Sequence, residues 1–462
     1  MYYLLLSACV LSRLIFTIYY IEDIDSLRFA YSIIDEFNIS KLQPHFPGYA
    51  LFCFVGNILY DLIGNMAMTF SLIGGLSIFF IIYFTLQLLD FKLDSKEGIF
   101  TTLFIFFNPM FWLMSNRYMP DLMGLSILIA AFYFLNKKDY GFIGAFFCGL
   151  ILGVRLSYFP FLLFPIIFVF IKHKNKLLFL TMATMGFIVW AVPMIYIEGF
   201  NNLFNAAIKH TAGHFTEYGG SIITESNWNT RFFYLINTIW ADGLGGYWKG
   251  RTWITIILSL LILPLILLSI INYNEILKSN KMIYYLILAC FLYLLWIFFF
   301  QNIIHKSRHV MPIVLTLIIV FSKIMKKYIF NRGFWGHIYI VGLILLTGYM
   351  TINLALQHKN PTAISQIGKF LYSKNQPMVI ISPPLINYYL KSQNLNAEYI
   401  DIDINSNSFD ASIFEDNKQI IVIGNITTKI NNLNITSDTL FYHNPYVNKM
   451  WSTIPIYSNT KI

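Results

Sequence analysis

Charged residues are scarce in this 462-residue chain, because Asp, Glu, Lys and Arg together make up only 12% of it. A soluble domain carries about 25% charged residues, so the scarcity excludes a chain whose main solvent is water. Hydrophobic residues reach 57% and aromatic residues 18%, which is typical of bilayer-crossing helices with aromatic flanks at headgroup depth. The composition therefore predicts an α-helical polytopic membrane protein.

Cysteine is also rare. The four cysteines all lie inside apolar runs, which excludes a disulfide framework and a thiolate metal site; they are Cys9, Cys53, Cys148 and Cys290. The net charge of +9 comes largely from lysines in short loops between apolar runs, where basic charge sets membrane topology. The basic balance therefore does not indicate nucleic-acid binding, and we expect no nucleic-acid partner.

Apolar runs long enough for membrane helices predict about eleven spans. They are 3–20, 66–89, 98–115, 121–136, 140–155, 158–171, 177–197, 252–271, 283–300, 312–325 and 335–356. The first run lacks a basic n-region and a cleavage site, so we expect a retained helix. Residues 49–63 are interpreted as a juxtamembrane or re-entrant helix, because a full crossing there would place Lys92 and Lys96 outside.

Basic residues fall in alternate loops, which predicts a cytoplasmic N-terminus. Two loops, near 21–65 and 198–251, and all residues from 357 to 462 are then extracytoplasmic. We therefore predict a transmembrane catalytic domain over 1–356 and a small extracytoplasmic α/β domain over 357–462.

The C-terminal residues differ in pattern from the rest of the chain. Helix-like segments at 362–373 and 385–391 alternate with β-like runs at 378–381, 398–402 and 419–423. The Asn-rich stretches at 403–408 and 431–434 are interpreted as ordinary loops.

Three carboxylates, Glu22, Asp23 and Asp25, directly follow the first predicted span. A carboxylate at this depth can accept a proton from an acceptor hydroxyl or amine, or hold a divalent cation against a phosphate. The simpler interpretation is that these acids only mark the point where the chain leaves the membrane.

Two further outer-side segments carry candidate residues. The run from His45 to Tyr49 contains Pro47 and Gly48 and predicts a rigid turn that could floor a binding site. Asp121 begins a later span, where an aspartate is either a functional acid or only a helix cap.

Basic residues also gather on the predicted outer side. Arg155 lies between two short spans, where an arginine suits a phosphate or a structural ion pair. Lys306 and Arg308 precede another span and break the positive-inside pattern, which indicates an anionic partner: lipid headgroups or a phosphate leaving group. His210 and His214 share a helix face, but this pair alone is weak support for zinc.

In order and sidedness, these motifs resemble the GT-C class of membrane glycosyltransferases, particularly the glycosyltransferase family 39-type branch with protein O-mannosyltransferases and the lipid A aminoarabinose transferase. Residues 25–30 (Asp-Ser-Leu-Arg-Phe-Ala) resemble its Asp-Glu-x-Arg-Tyr-Ala motif, with Ser26 in place of Glu. Residues 45–49 resemble its His/Lys-Pro-Pro-Leu/Gly-Tyr run. Asp121 resembles its later helix-start acid, and residues 308–312 resemble its Arg-Tyr-x-x-Pro motif.

The resemblance implies a hexosyl- or pentosyltransferase that moves a sugar from a polyprenyl-phosphate donor to a lipid, glycan or protein acceptor on the outer face of a bacterial plasma membrane. It implies that Asp25 is the general base or the acid that positions the acceptor, with Asp121 and Asp23 assisting. The implied substrate-binding residues are Arg28, His45, Tyr49, Arg155, Lys306 and Arg308. The resemblance names no certain cofactor and leaves a divalent cation open.

Two other functions fit parts of the pattern. A multi-pass transporter would also have many helices and buried charge, but the sequence shows no inverted repeat, and ionisable residues other than Arg13 avoid the centres of most spans. An O-antigen polymerase or ligase shares the lipid-linked donor but does not predict an acidic motif directly after the first helix.

Overall fold

The computed structural model describes residues 1–216, 220–279, 281–374, 376–402, 408–410, 419–432 and 435–460. By internal contacts the chain divides into two compact units. The membrane unit comprises residues 1–18 and 29–356, and the C-terminal unit comprises residues 19–28 and 357–462. The sequence prediction did not assign residues 19–28 to the C-terminal unit.

The described α-helices run in chain order as follows: α1 Tyr2–Ile15, α2 Ile24–Ile34, α3 Ala50–Ile63, α4 Met66–Leu89, α5 Lys96–Phe106, α6 Pro109–Asn116, α7 Asp121–Asn136, α8 Gly141–Leu152, α9 Phe159–Lys172, α10 Lys176–Glu198, α11 Phe200–Thr216, α12 Trp228–Asn237, α13 Ile254–Ile271, α14 Tyr273–Ser279, α15 Lys281–Phe300, α16 Met311–Ile324, α17 Gly333–His358, α18 Ala363–Lys374 and α19 Pro384–Lys391. Each of the eleven predicted spans coincides with one of these helices or, for 98–115, with the pair α5 and α6.

Within the described residues, six helices are long and apolar enough to cross a membrane, or seven if the bent pair α5 and α6 forms one span. This supports a multi-pass membrane protein. The other predicted spans, α1, α7, α8 and α9, are shorter apolar helices, so the count of eleven crossings is not confirmed. The predicted orientation stays a prediction.

The bend between α5 and α6 measures 53° and has a local cause. Pro109 cannot continue the hydrogen-bond ladder of α5, and the side chain of Asn108 caps the new helix by accepting from the backbone N–H of Phe111 at 3.1 Å. The break leaves carbonyls of α5 without helical partners, and Arg13 Nη2 donates to one of them, Phe106 O, at 2.9 Å. Arg13, the one ionisable residue singled out near the centre of a predicted span, therefore donates to a carbonyl that the helix break leaves without a helical partner.

Glycines allow α8 and α10 to pack backbone against backbone. A Cβ at Gly149 would lie 2.3 Å from Ala183 O, and one at Gly186 would lie 2.1 Å from Phe146 O. Small residues at such crossings are the usual basis of close helix association in membranes. This crossing holds α8 in place, and Arg155 follows directly after it.

The C-terminal unit is built around a five-stranded mixed sheet with the order β2-β1-β4-β7-β6. The described strands are β1 Met378–Ser382, β2 Ala397–Asp401, β3 Phe409–Asp410, β4 Gln419–Ile423, β5 Ile430–Asn431, β6 Ser437–Tyr442 and β7 Thr453–Ser458. Strand β1 is parallel to β2 and β4, whereas β7 is antiparallel to β4 and β6. The predicted helices and β runs of this region are thus present.

The core of this sheet follows from the near-continuous apolar runs of its central strands, which suit strands covered on both faces. Its buried members are Val379, Ile381, Ile402, Ile420, Val422, Ile426 and Ile430. Of the Asn-rich stretches interpreted as loops, residues 403–407 and 433–434 lie outside the described residues.

Candidate active site

Asp121 in the membrane unit forms ion pairs with two arginines from distant parts of the chain. Its Oδ1 lies 2.9 Å from Arg155 Nη2, and its Oδ2 lies 3.6 Å from Arg308 Nε. Asp121 is fully buried as the first residue of α7, and the helix N-terminus adds a favourable field for a carboxylate. The preceding Pro120 is the cap position, so Asp121 is not the helix cap.

Arg155 also contacts the polar groups of two further side chains, those of Tyr49 and His309. Its Nη1 lies 3.4 Å from the hydroxyl of Tyr49, and its Nη2 lies 3.5 Å from Nδ1 of His309. A guanidinium only donates, so the Tyr49 hydroxyl accepts from it and can donate onward to His45 Nε2 at 3.2 Å. Arg155 Nε is buried without a hydrogen-bond partner in the described part of the chain, which leaves one donor for a ligand.

Two tyrosines fix the backbone that carries Arg308. The hydroxyl of Tyr293 donates to His309 O at 2.9 Å, and that of Tyr158 lies 3.4 Å from Arg308 O. Both phenols are fully buried. Lys306 begins the same turn and is partly exposed. The turn is therefore held through its carbonyls while the side chain of Arg308 reaches Asp121.

The last turn of α15, which precedes this segment, is capped by the large loop. Arg231 donates to Phe298 O, to Gln301 O at 3.1 Å and to Gly220 O at 2.6 Å, and burial lowers its pKa. A cation at a helix C-terminus satisfies orphan carbonyls. Arg231 thus anchors the start of the loop from 301 to 310.

The two histidines considered for zinc have other neighbours. His214 Nε2 lies 2.8 Å from Phe300 O and must donate to that carbonyl, and the ring of His210 packs 5.6 Å from that of His45. Within the described part of the chain, no group of three or more His, Cys, Asp or Glu residues has the geometry of a metal site.

Gly124 provides space for Arg155 above helix α7. A Cβ at this glycine would lie 2.7 Å from Arg155 Cβ, closer than side-chain carbons approach each other. Gly124 lies one helical turn after Asp121. Because it has no side chain, Arg155 can approach α7 closely beside the ion pair. Sequence inspection alone gave this glycine no role.

The acidic segment after α1 lies in the C-terminal unit. Glu22, Asp23 and Asp25 are all nearly completely buried, and Asp25 pairs with Arg28 at 3.7 Å one helical turn later. The Arg28 guanidinium also lies 5.9 Å from the ring centre of Tyr388. Asp25 is in the first turn of α2, where the helix N-terminus attracts a negative charge.

The predicted residues therefore occur as two clusters, each within its own unit. His45, Tyr49, Asp121, Arg155 and Arg308 are joined in the membrane unit, and Asp23, Asp25 and Arg28 in the C-terminal unit. Sequence reasoning did not select His309, Tyr158 or Tyr293, nor the Asn448 and His358 side chains that contact the acids.

No protein-family model matches the chain, and no curated protein matches it at a significant level. Similar solved structures include two of ArnT from Cupriavidus metallidurans, one bound to undecaprenyl phosphate and one in the apo state. Each comparison covers 99% of this chain and 97% of that chain at 11% sequence identity, with TM-scores of 0.48 and 0.49 respectively.

Proposed function

We propose that this protein is a membrane glycosyltransferase that transfers a sugar from a polyprenyl-phosphate donor to an acceptor on the extracytoplasmic face. The observation that carries the proposal is that Arg155 and Arg308 both pair with the same buried carboxylate, that of Asp121. Guanidinium groups in fixed orientation are the preferred protein ligands of phosphate oxygens.

The phosphate role follows from how Arg155 is held. Its contacts with Asp121, Tyr49 and His309 orient the guanidinium plane, and its Nε remains as a buried donor. A preorganised donor in a dry site stabilises negative charge more than one in water does. Arg155 and Arg308 therefore hold the phosphate as it becomes a leaving group, and Lys306 adds positive charge at the edge of the same turn.

In the proposed reaction the acceptor oxygen or nitrogen attacks the anomeric carbon of the sugar. The bond between that carbon and the phosphate oxygen breaks, the polyprenyl phosphate leaves with the electron pair, and the acceptor proton passes to the Asp25 carboxylate. The role of Asp25 rests on the resemblance of residues 25–30, with Asp23 assisting. A single displacement inverts the anomeric centre, because no carboxylate is needed as a nucleophile.

The test is sugar release in proteoliposomes from a panel of labelled polyprenyl-phosphate sugars, with acceptor extract, in Mg²⁺ and again in a chelator. We expect the wild type to release free polyprenyl phosphate from at least one donor. We expect Arg155→Lys to raise the donor KM about tenfold and Arg155→Ala to lose transfer, since lysine keeps the charge but not the planar fork.

Arg332→Ala is the matched control, because Arg332 is exposed in the described structure. Movement of intact donor across the membrane without cleavage of the sugar–phosphate bond would contradict the proposal and favour a transporter. Equal donor KM values in wild type and Arg155→Ala would remove Arg155 from phosphate binding.

A further inference from the structure

The acidic segment before Asp25 is hydrogen-bonded, residue after residue, to the C-terminal part of the same unit. The backbone and hydroxyl contacts are Tyr20 Oη to His358 O at 2.8 Å, Tyr389 Oη to Ile21 O at 2.6 Å and Thr362 Oγ1 to Glu22 O at 2.8 Å. Burial raises the pKa of Tyr389, so its hydroxyl remains a donor at physiological pH.

Two side chains bind the acids themselves. Asn448 Nδ2 lies 3.1 Å from Asp23 Oδ2 and 3.4 Å from Glu22 Oε1, and His358 Nε2 lies 2.8 Å from the same Glu22 oxygen. Asn448 and His358 are both almost completely buried. Hydrogen bonds from an amide or an imidazole to a carboxylate are among the stronger ones in proteins.

The orientation of the Asn448 amide is fixed by its own backbone surroundings. Its Oδ1 accepts from the backbone N–H of Met450 at 2.9 Å, so its NH₂ group must face the acids. Its carbonyl lies 2.8 Å from His443 Nε2, and His443 Nδ1 accepts from the N–H of Ala363 at 3.0 Å. The side chain and the backbone of Asn448 are therefore both held by hydrogen bonds within the C-terminal unit.

Asp23 connects these contacts to α2, because it accepts hydrogen bonds from the first turn of that helix. Its second oxygen, Oδ1, accepts from the backbone N–H of Ser26 at 2.9 Å, and its carbonyl accepts from the N–H of Leu27 at 3.0 Å. These are the bonds of a helix N-cap, so Asp23 caps α2, which begins at Ile24, and Asp25 is the second residue of the helix. Asn448 therefore contacts the side chain that caps α2, and Asp25 lies in the first turn of that helix.

We propose that the C-terminal α/β unit positions the Asp25 carboxylate for the transfer reaction, with Asn448 and His358 as positioning residues that act through Asp23 and Glu22. The inference rests on the proposed function of Asp25. It gives the C-terminal unit a part in the chemistry, whereas its sequence had indicated only a folded domain of unassigned role.

The experiment compares Asn448→Ala with Asn425→Ala in the full chain in proteoliposomes. Asn425 lies in the same unit with an exposed side chain, so it controls for loss of an asparagine. Hydrogen exchange of residues 24–28 is measured first, and we expect Asn448→Ala to accelerate it about tenfold, because loss of a hydrogen bond to a charged group weakens the helix start. This readout does not depend on any enzymatic activity.

Transfer kinetics are measured next. We expect Asn448→Ala to lower kcat at least about tenfold with the donor KM unchanged, since an interaction made only with the base side of the reaction does not alter donor binding. Asn425→Ala is expected to match the wild type. Wild-type kcat in Asn448→Ala, or wild-type exchange at residues 24–28, would overturn the inference.

Asn448→Asp separates positioning from simple space filling. It is close in shape but places a third carboxylate beside Glu22 and Asp23, so we expect activity that recovers as pH falls and a proton is taken up by the cluster. A pH profile identical to that of the wild type would overturn the positioning role. Absence of transfer by the wild type would instead refute the proposed function, while the exchange result would still report how the cap is held.

Discussion

The Oδ1 atom of Asp121 lies 2.9 Å from Nη2 of Arg155, and both side chains are almost completely buried. Burying two charges costs several kcal/mol per ion, and apolar replacements of such pairs are often as stable. A buried pair is therefore weak support for stability. Here the carboxylate of Asp121 pairs with both Arg155 and Arg308, which fits the phosphate-binding role that we propose for the two arginines.

Asp121→Asn tests this role, because it keeps the shape and removes the charge. Breaking one side of a buried ion pair costs about 3 to 5 kcal/mol, so we expect a lower unfolding temperature and a donor KM raised at least about tenfold. Asp61→Asn on an exposed face of α3 is the control. Unchanged donor binding in a folded Asp121→Asn protein would show that the carboxylate does not orient the arginines.

Gly124→Ala is expected to impair donor binding although alanine favours helices by about 1 kcal/mol over glycine. The added methyl would lie 2.7 Å from Arg155 Cβ and must displace it. Gly342→Ala in α17 is the matched control, because among the described residues nothing beyond the neighbouring backbone of its own helix lies within 4 Å of a Cβ built there. Donor KM and unfolding temperature are measured for both variants, and equal results would contradict the close contact at Gly124.

Arg13→Met is expected to lower stability without changing the donor KM. Arg13 donates to Phe106 O at the break between α5 and α6, and its guanidinium lies 3.9 Å from the ring centre of Trp112. A buried carbonyl left without a partner costs about 1 to 3 kcal/mol. Thermal unfolding in detergent measures the loss, with Arg332→Met as the exposed control; no shift would mean that water or lipid replaces the arginine.

Much of the fold was predictable because apolar runs carry a direct signal. The prediction for 66–89 coincides with α4, and the apolar β-branched run at 378–381 lies within β1. The sequence could not give the number of crossings, since a helix as short as α8 has the same composition whether or not it spans the bilayer.

The candidate site was predictable only in its separate parts. Asp121, Arg155 and Arg308 were selected as polar residues that persist beside apolar helices, but their pairing depends on tertiary packing, which one sequence does not reveal. Asn448 had no signal, because an isolated asparagine in a polar region resembles any loop residue. Its contact with Asp23 joins residues more than 400 positions apart.

The most direct test of the central claim is sugar transfer by Asp25→Asn beside the wild type, with the donor identified in the proteoliposome panel. We predict loss of transfer at an unchanged donor KD, because the variant keeps the arginines but cannot accept the acceptor proton. The unfolding temperature is expected to fall, because Asp25→Asn removes the charge that pairs with Arg28. The wild-type product is expected to show inversion of the anomeric centre. Transfer by Asp25→Asn at the wild-type rate would contradict the account.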